Sequence, residues 1–441
     1  MRWLAAVSFI AILLSGSAAE SEEYAPGFGP NPELPQAEHS LVPTVNIAPA
    51  KSWPVGASPS ATEDLQVTAF AKDLDHPRWL HVLQNGDVLV AETDAPPRPE
   101  EGAGLKAWFT SFFMKRAGST KKSSPNRITL LRDADGDGVA EIKRTFLTGL
   151  NSPFGMALAG DAFYVADTDA LLRFRYDGEN VSQAGEKVAD LPGGPIDHHW
   201  TKNVIASEDG KKLYVTVGSN SNVGENGLDK EKDRAAILEI DANTGKSRVY
   251  ASGLRNPVGL GWQPQSKQLW TVVNERDELG NDVPPDYLTS VKDGGFYGWP
   301  YSYFGQHIDE RVKEQRPDLV AKAIVPDYGL GAHTASLGLA FYDGKLLPQH
   351  FQGGAFIGQH GSWNREPRSG YKVIFVPFKD GQPSGPPEDI LTGFVDADGN
   401  ARGRPVGVAI DKKGGLLVAD DVGNTIWRVA PASPKQALIQ P

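Results

Sequence analysis

Three short clusters carry the side chains best suited to chemistry. The first is Asp197-His198-His199-Trp200-Thr201-Lys202-Asn203, which places two of the chain's nine histidines side by side next to a carboxylate. An imidazole titrating near neutrality is the usual general base, and a neighbouring carboxylate orients it and raises its basicity. Joint metal binding is less natural, because adjacent residues on an extended strand point to opposite faces. The second is Arg255-Asn256-Pro257, where a permanent forked cation meets an amide that both donates and accepts; such a pair can stabilise a developing oxyanion or hold a polar cofactor. The third is Arg402-Gly403-Arg404, whose alternate arginines share one face of an extended stretch and form a receptor for carboxylates or phosphates. Taken singly, each is also what a solvated surface loop or a core histidine provides.

Two acidic loops are of a different kind. Asp133, Asp135 and Asp137 alternate around turn glycines, followed by Glu141, like the first half of a calcium loop. Arg144 stands where an EF-hand places its bidentate glutamate, so the loop is either a calcium-stabilised hairpin turn or one held by hydrogen bonds alone. A shorter version, Asp396-Ala-Asp398-Gly-Asn400, carries less of the pattern, and both are compatible with plain Asx turns.

Something must bring the three clusters together. Six times the chain repeats a polar turn followed by an alternating apolar, β-branched run that ends in small or acidic residues: GDVLVAE from Gly86, GDAFYVAD from Gly160, GKKLYVTVGS from Gly210, SKQLWTVVNE from Ser266, GGAFIGQHG from Gly353 and GGLLVADD from Gly414. A strand-like, turn-bounded unit at uneven intervals predicts an all-β six-bladed β-propeller with four-stranded blades. The clusters precede the third, fourth and sixth repeats, so equivalent places in a radial fold would converge on one end of the central channel.

Composition fits that fold. Glycine at 48 and proline at 33 suit a chain of many turns, and 441 residues suit one large propeller. A net charge of −11 without a basic stripe excludes nucleic acid as a partner, and the absence of cysteine excludes disulfides, thiol catalysis and thiolate metal sites. Met1-Arg2, the apolar stretch Trp3 to Leu14 and the small residues Ser17-Ala18-Ala19 read as a signal peptide over 1–19, implying a periplasmic or secreted protein. An uncleaved membrane anchor is the alternative, although the apolar run falls short of the ~20 residues a span needs. Residues 20–60 read as an extended arm, 61–432 as the propeller with an insertion at 95–127, and 433–441 as a tail. Within the insertion, Leu105, Trp108, Phe109, Phe112 and Phe113 recur at helical spacing, predicting an amphipathic helix over 102–118 that packs on the propeller or docks at a membrane or partner.

In order, HHWTKN, RNPVGLGW, VKDGGFYGWP (291–300), FIGQHGSWNR (356–365) and GRPVGVAID (403–411) resemble the sorbosone dehydrogenases and related soluble aldose dehydrogenases, over about residues 65 to 430. The resemblance implies pyrroloquinoline quinone (PQQ) with Ca2+ as cofactors, a sugar or sugar aldehyde as substrate, and a membrane quinone or cytochrome as electron acceptor. It implies His199 as catalytic base, with His198 as the alternative, Arg255 and Asn256 at the cofactor, and Arg402 and Arg404 on its carboxylates. It places the cofactor calcium in the loop of Glu275, Arg276 and Asp277, partly on backbone carbonyls. Lys202 and Asn151 join the cofactor-binding set. Two departures from the soluble glucose dehydrogenases stand out: a glutamine is replaced near Leu150-Asn151, and the cofactor lysine has no equivalent around Gln359-His360-Gly361, where His360, Arg365 or Lys372 would supply the charge. These leave glucose in doubt as the substrate. A calcium-centred propeller lactonase or esterase and a non-catalytic propeller binding protein are the rival classes.

Overall fold

The computed structural model describes residues 24–38, 44–96 and 124–432. The expected signal peptide, the helix over 102–118 and the tail lie outside the described residues.

Six sheets form six blades, antiparallel except where Gly295–Phe296 adds in parallel to Ser247–Ser252. Their innermost strands are Pro77–Val82, Gly155–Ala159, Val204–Ala206, Pro257–Trp262, Ser336–Phe341 and Pro405–Ile410, and each packs against the innermost strands of its two neighbours, closing a ring. We number the blades 1 to 6 in that order. Every repeated phrase forms the second strand of its blade: Val88–Glu92, Ala162–Ala166, Lys212–Val217, Leu269–Val273, Ala355–Gln359 and Leu416–Asp420. The phrase is strand-like because its alternating apolar residues are buried on both faces between adjacent blades. Its opening turn needs a left-handed residue, which Gly86 (φ 95°) and Gly414 (φ 93°) supply without steric cost, and Lys267 (φ 56°) supplies in blade 4.

Ring closure joins the two ends of the propeller sequence. The outer strand of blade 6 is Leu65–Ala71, paired antiparallel with Thr425–Pro431. The N-terminal arm, expected only to be extended, is stitched to the outside: Phe28–Gly29 adds to Tyr328–Ala332 of blade 4, and Ser60–Ala61 adds to Glu388–Thr392 of blade 5. Further along it, the indole of Trp53 packs edge-on against Phe394 and Trp427 and donates to Asp420 at 2.7 Å. The arm has therefore exchanged chain entropy for sheet edges and aromatic burial.

Each innermost strand runs antiparallel to its phrase strand, so the start of one and the end of the other share one rim. Six such pairs make one polar mouth.

Candidate active site at the channel mouth

His199 sits just ahead of the innermost strand of blade 3. Its Nδ1 lies 2.8 Å from the carbonyl of Ser219, at the end of that blade's phrase strand. A carbonyl only accepts, so Nδ1 carries the proton and Nε2 is the basic nitrogen of the ring. His198 is half-buried with its ring edge-on to His199 at 4.8 Å. The carboxylate of Asp197 is engaged by Arg234 at 3.0 Å and Lys202 at 3.3 Å. The expectation that Asp197 orients the base is thus corrected: a backbone carbonyl does so.

Gly218 brings the second cluster to the first. A Cβ at that position would overlap both the Oδ1 of Asn256 and the Cβ of His199, so glycine is what lets base and amide approach. The Oδ1 of Asn256 is buried with no hydrogen-bond partner among the described residues, as is the Nε of Arg255. The rest of the Arg255 guanidinium is held on four sides, by the Asn274 Oδ1 (3.1 Å), the Glu275 carbonyl (2.6 Å), the Asn222 Oδ1 (3.0 Å) and the Asp277 carboxylate (3.2 Å). Asp277 also accepts from Asn364 at 2.9 Å and faces the imidazole of His333 at 3.5 Å. Burial pushes this carboxyl up, but His333, Arg255 and Asn364 outweigh it and hold it at about 2.

The third cluster forms the opposite wall. Arg404 is buried, its guanidinium 5.0 Å from the Tyr371 ring centroid and donating to the Ala48 carbonyl of the arm at 3.1 Å, while its Nε has no partner among the described residues. Arg402 is half-buried and its guanidinium meets no carboxylate among the described residues. His360, from the end of the blade 5 phrase, places Nε2 at 2.9 Å from Asp421 of blade 6. Burial drives this imidazole down to about 4 against the pull of Asp421, so it is neutral at pH 7 and supplies no charge. The positive charge beside it comes from a residue that the sequence reading passed over: Arg78 of blade 1 donates to Asp421 at 2.6 Å.

Several expected site residues are committed elsewhere. Lys202 is fully buried, with its ammonium on Asp197 and the Trp200 carbonyl, and burial lowers it to about 8; it ties a loop down. Arg365 pairs with Asp282 at 2.7 Å, and Lys372 with Asp389 at 2.7 Å. Asn151 is exposed, its backbone N–H on the Asp167 carboxylate.

The expected calcium positions differ from an open oxygen cage. Arg276 and Glu275 pair with each other at 2.9 Å, and Arg276 also binds Asp309 and the carbonyls of Pro300 and Ser302. The carbonyl of Glu275 accepts from Arg255, and that of Asp277 accepts from Asn222 and Arg311. Guanidinium groups thus occupy the donor set a divalent cation would need, and the loop as folded does not fit calcium. At the opposite end of the propeller, ligand atoms of Asp133, Asp135, Asp137 and Glu141 lie within 4.8 Å of one another. The ammonium of Lys413 enters that loop, 2.9 Å from Asp133 and 2.6 Å from the Gly136 carbonyl, and backbone N–H groups bind the carboxylates as in Asx turns.

Fold and mouth together define a six-bladed propeller whose channel opens among imidazole, guanidinium and amide groups from all sides. The chain belongs to the TrAA12-like family, whose model matches residues 124–289 and 305–432. Among curated proteins it is similar to aldose sugar dehydrogenase YliI of Escherichia coli K12, with 29% identity over 34% of this chain and 42% of that one. It is also similar to the pyrroloquinoline quinone-dependent pyranose dehydrogenase of Coprinopsis cinerea, with 24% identity over 52% of this chain and 36% of that one; both matches span less than half of the relative. The solved holo PQQ domain of the Coprinopsis cinerea enzyme superposes with a TM-score of 0.67 at 19% identity, covering 87% of this chain and all of the domain, and bears out the propeller.

Proposed function

We propose that this protein is a PQQ-dependent oxidoreductase that oxidises an aldose or a sugar aldehyde such as sorbosone. The observation carrying the reading is that His199, with its basic nitrogen fixed as Nε2, shares one mouth with buried polar atoms that have no partner among the described residues: the Oδ1 of Asn256 and the Nε of Arg255 and of Arg404. Buried donors and acceptors left unpaired are costly, and a polar, polyanionic cofactor is what would satisfy them. Arg402 and Arg404 would hold its carboxylates, and Arg255 with Asn256 its polar edge. PQQ, when bound, supplies the hydride acceptor.

The protein's own residues do the remaining work. His199 takes the proton of the substrate hydroxyl at Nε2, and the Ser219 carbonyl steadies the imidazolium that results. Arg255, locked by Asp277, keeps a fixed positive charge at the mouth, where negative charge develops. An exported location and onward transfer of electrons to a membrane quinone or cytochrome belong to the same reading. A lactonase would need carboxylates free to bind a central calcium, whereas Asp277 and Asp421 at this mouth are engaged by arginine and histidine.

Equilibrium dialysis of the apoprotein against PQQ, with and without calcium, followed by dye reduction with a panel of aldoses and sorbosone, tests the proposal. Saturable uptake and sugar-dependent turnover are expected; no uptake under either condition would sink it.

A further inference from the structure

Arg78 stands in a frame that four of the other five blades fill with apolar side chains, blade 3 alone bringing the buried polar pair Lys202-Asn203 to the start of its innermost strand. Where the innermost strands begin, blades 2, 4 and 6 read Pro153-Phe154-Gly155, Pro257-Val258-Gly259 and Pro405-Val406-Gly407, and blade 5 reads Ser336-Leu337-Gly338. Phe154, Val258, Leu337 and Val406 join Trp200 in one buried cluster. Residues from so many blades meet only at the axis, so this cluster is the floor beneath the mouth. Blade 1 reads Pro77-Arg78-Trp79, and its strand pairing slips register at the same place as in blades 4, 5 and 6. Arg78 therefore occupies the equivalent position, and its guanidinium lies 5.9 Å from the ring centroid of Trp200, the residue after His199.

A guanidinium in an apolar floor is expensive unless it is paired and fully hydrogen-bonded. Asp421 pairs it, at 2.6 Å, but the same carboxylate oxygen also serves His360. The Nε of Arg78 is buried with no partner among the described residues, and so is the Nε of Arg404 on the adjoining wall. The arginine thus spans from Asp421 of blade 6 to the neighbour of the base, with donors still unspent.

We propose that Arg78 is a binding residue of the mouth, a central guanidinium that takes a carboxylate of the anionic cofactor, with Asp421 as its positioning residue. The inference rests on the PQQ reading above and adds a third arginine to the Arg402 and Arg404 pair. A planar fork can serve Asp421 and a ligand carboxylate at once, which a lysine ammonium does less well.

The test is PQQ affinity by equilibrium dialysis, with thermal melting as a check of folding, for Arg78→Gln, Arg78→Lys and, as a control at the far end of the propeller, Lys413→Gln. Arg78→Gln should raise Kd by about tenfold or more, Arg78→Lys by a smaller factor, and Lys413→Gln not at all. If Arg78→Gln does not fold, Arg78→Lys decides alone, and an unchanged Kd overturns the proposal. Benzene-1,3,5-tricarboxylate, titrated by calorimetry, separates the two readings. A wild-type protein that refuses PQQ yet binds this tricarboxylate through Arg78 keeps the anion contact and loses the cofactor assignment. A wild-type protein that binds PQQ with both Arg78 variants within about twofold of it does the opposite.

Discussion

At the mouth, the side chain proposed as the base is His199, and what orients it is a main-chain oxygen. A carbonyl fixes the tautomer and orients the ring without adding a negative charge. His199→Ala should lower turnover by about 10²- to 10⁴-fold with PQQ affinity nearly unchanged, and retention of full turnover would move the base elsewhere. Asp277 makes a prediction about acid. Its carboxyl is held at about 2 when folded against an ordinary value of 3.8, so the stability it contributes is present above pH ~4 and is lost as pH falls toward 2. The contribution is about 2 kcal/mol. Asp277→Asn should therefore lower Tm near neutral pH and flatten the acid limb of the stability curve; an unaltered acid limb in thermal melts would refute the assignment. As residues of one rim, His199, Arg255, Asn256, Arg402 and Arg404 were legible in sequence, because polar clusters ahead of strand repeats lie at equivalent places in a radial fold. Lys202 was not, since whether a lysine meets a ligand or a buried carboxylate depends on Asp197 and Arg234 lying beside it in space.

Blades carry their own lesson. The phrase proved to be a strand in every blade, which its alternation and turn residues made readable; that it is always the second strand comes from the fold. The short runs ahead of it went unread as a set. Aligned on their prolines, HPRW, SPFG, NPVG and RPVG show one arginine among apolar residues, and that comparison alone would have singled out Arg78. Glycines of the innermost strands are a second signal of the same kind: at Gly338 a Cβ would overlap the Val406 carbonyl of the next blade. Gly338→Ala should thus destabilise the propeller by about 1–3 kcal/mol in denaturant melts. Gly218→Ala, which would crowd His199 and Asn256, should instead cut turnover strongly while the fold survives; equal losses of Tm in both variants would contradict this division.

Taken whole, the molecule ties its periphery to its centre. Residues 44–61 reach the mouth through the Ala48 carbonyl on Arg404 and the Trp53 indole on Asp420, a carboxyl that burial raises to about 6. Its neutral form is favoured by folding, so the stability it lends is full below pH ~4 and fades as pH rises through 6. Trp53→Ala should lower Tm by several degrees and weaken PQQ binding by about tenfold or less through Arg404. Normal affinity in this variant would show that the arm only braces the outside. Composition hinted at none of this, because a proline-rich segment looks the same whether it is solvated or laid along a sheet edge.

Blade 6, which bears Arg402, Arg404 and Asp421, is assembled from Leu65–Ala71 and the strands that end at Pro431. During synthesis its first strand must wait while all five other blades are made, and the wall that bears Arg402 and Arg404 is not assembled until almost the last described residue has been added. On the cofactor reading proposed above, loading would wait for the finished chain: a ribosome-bound or C-terminally clipped protein would have His199, the Arg255 loop and Arg78, but neither the Arg402 and Arg404 pair nor the Asp421 carboxylate that holds Arg78 in place.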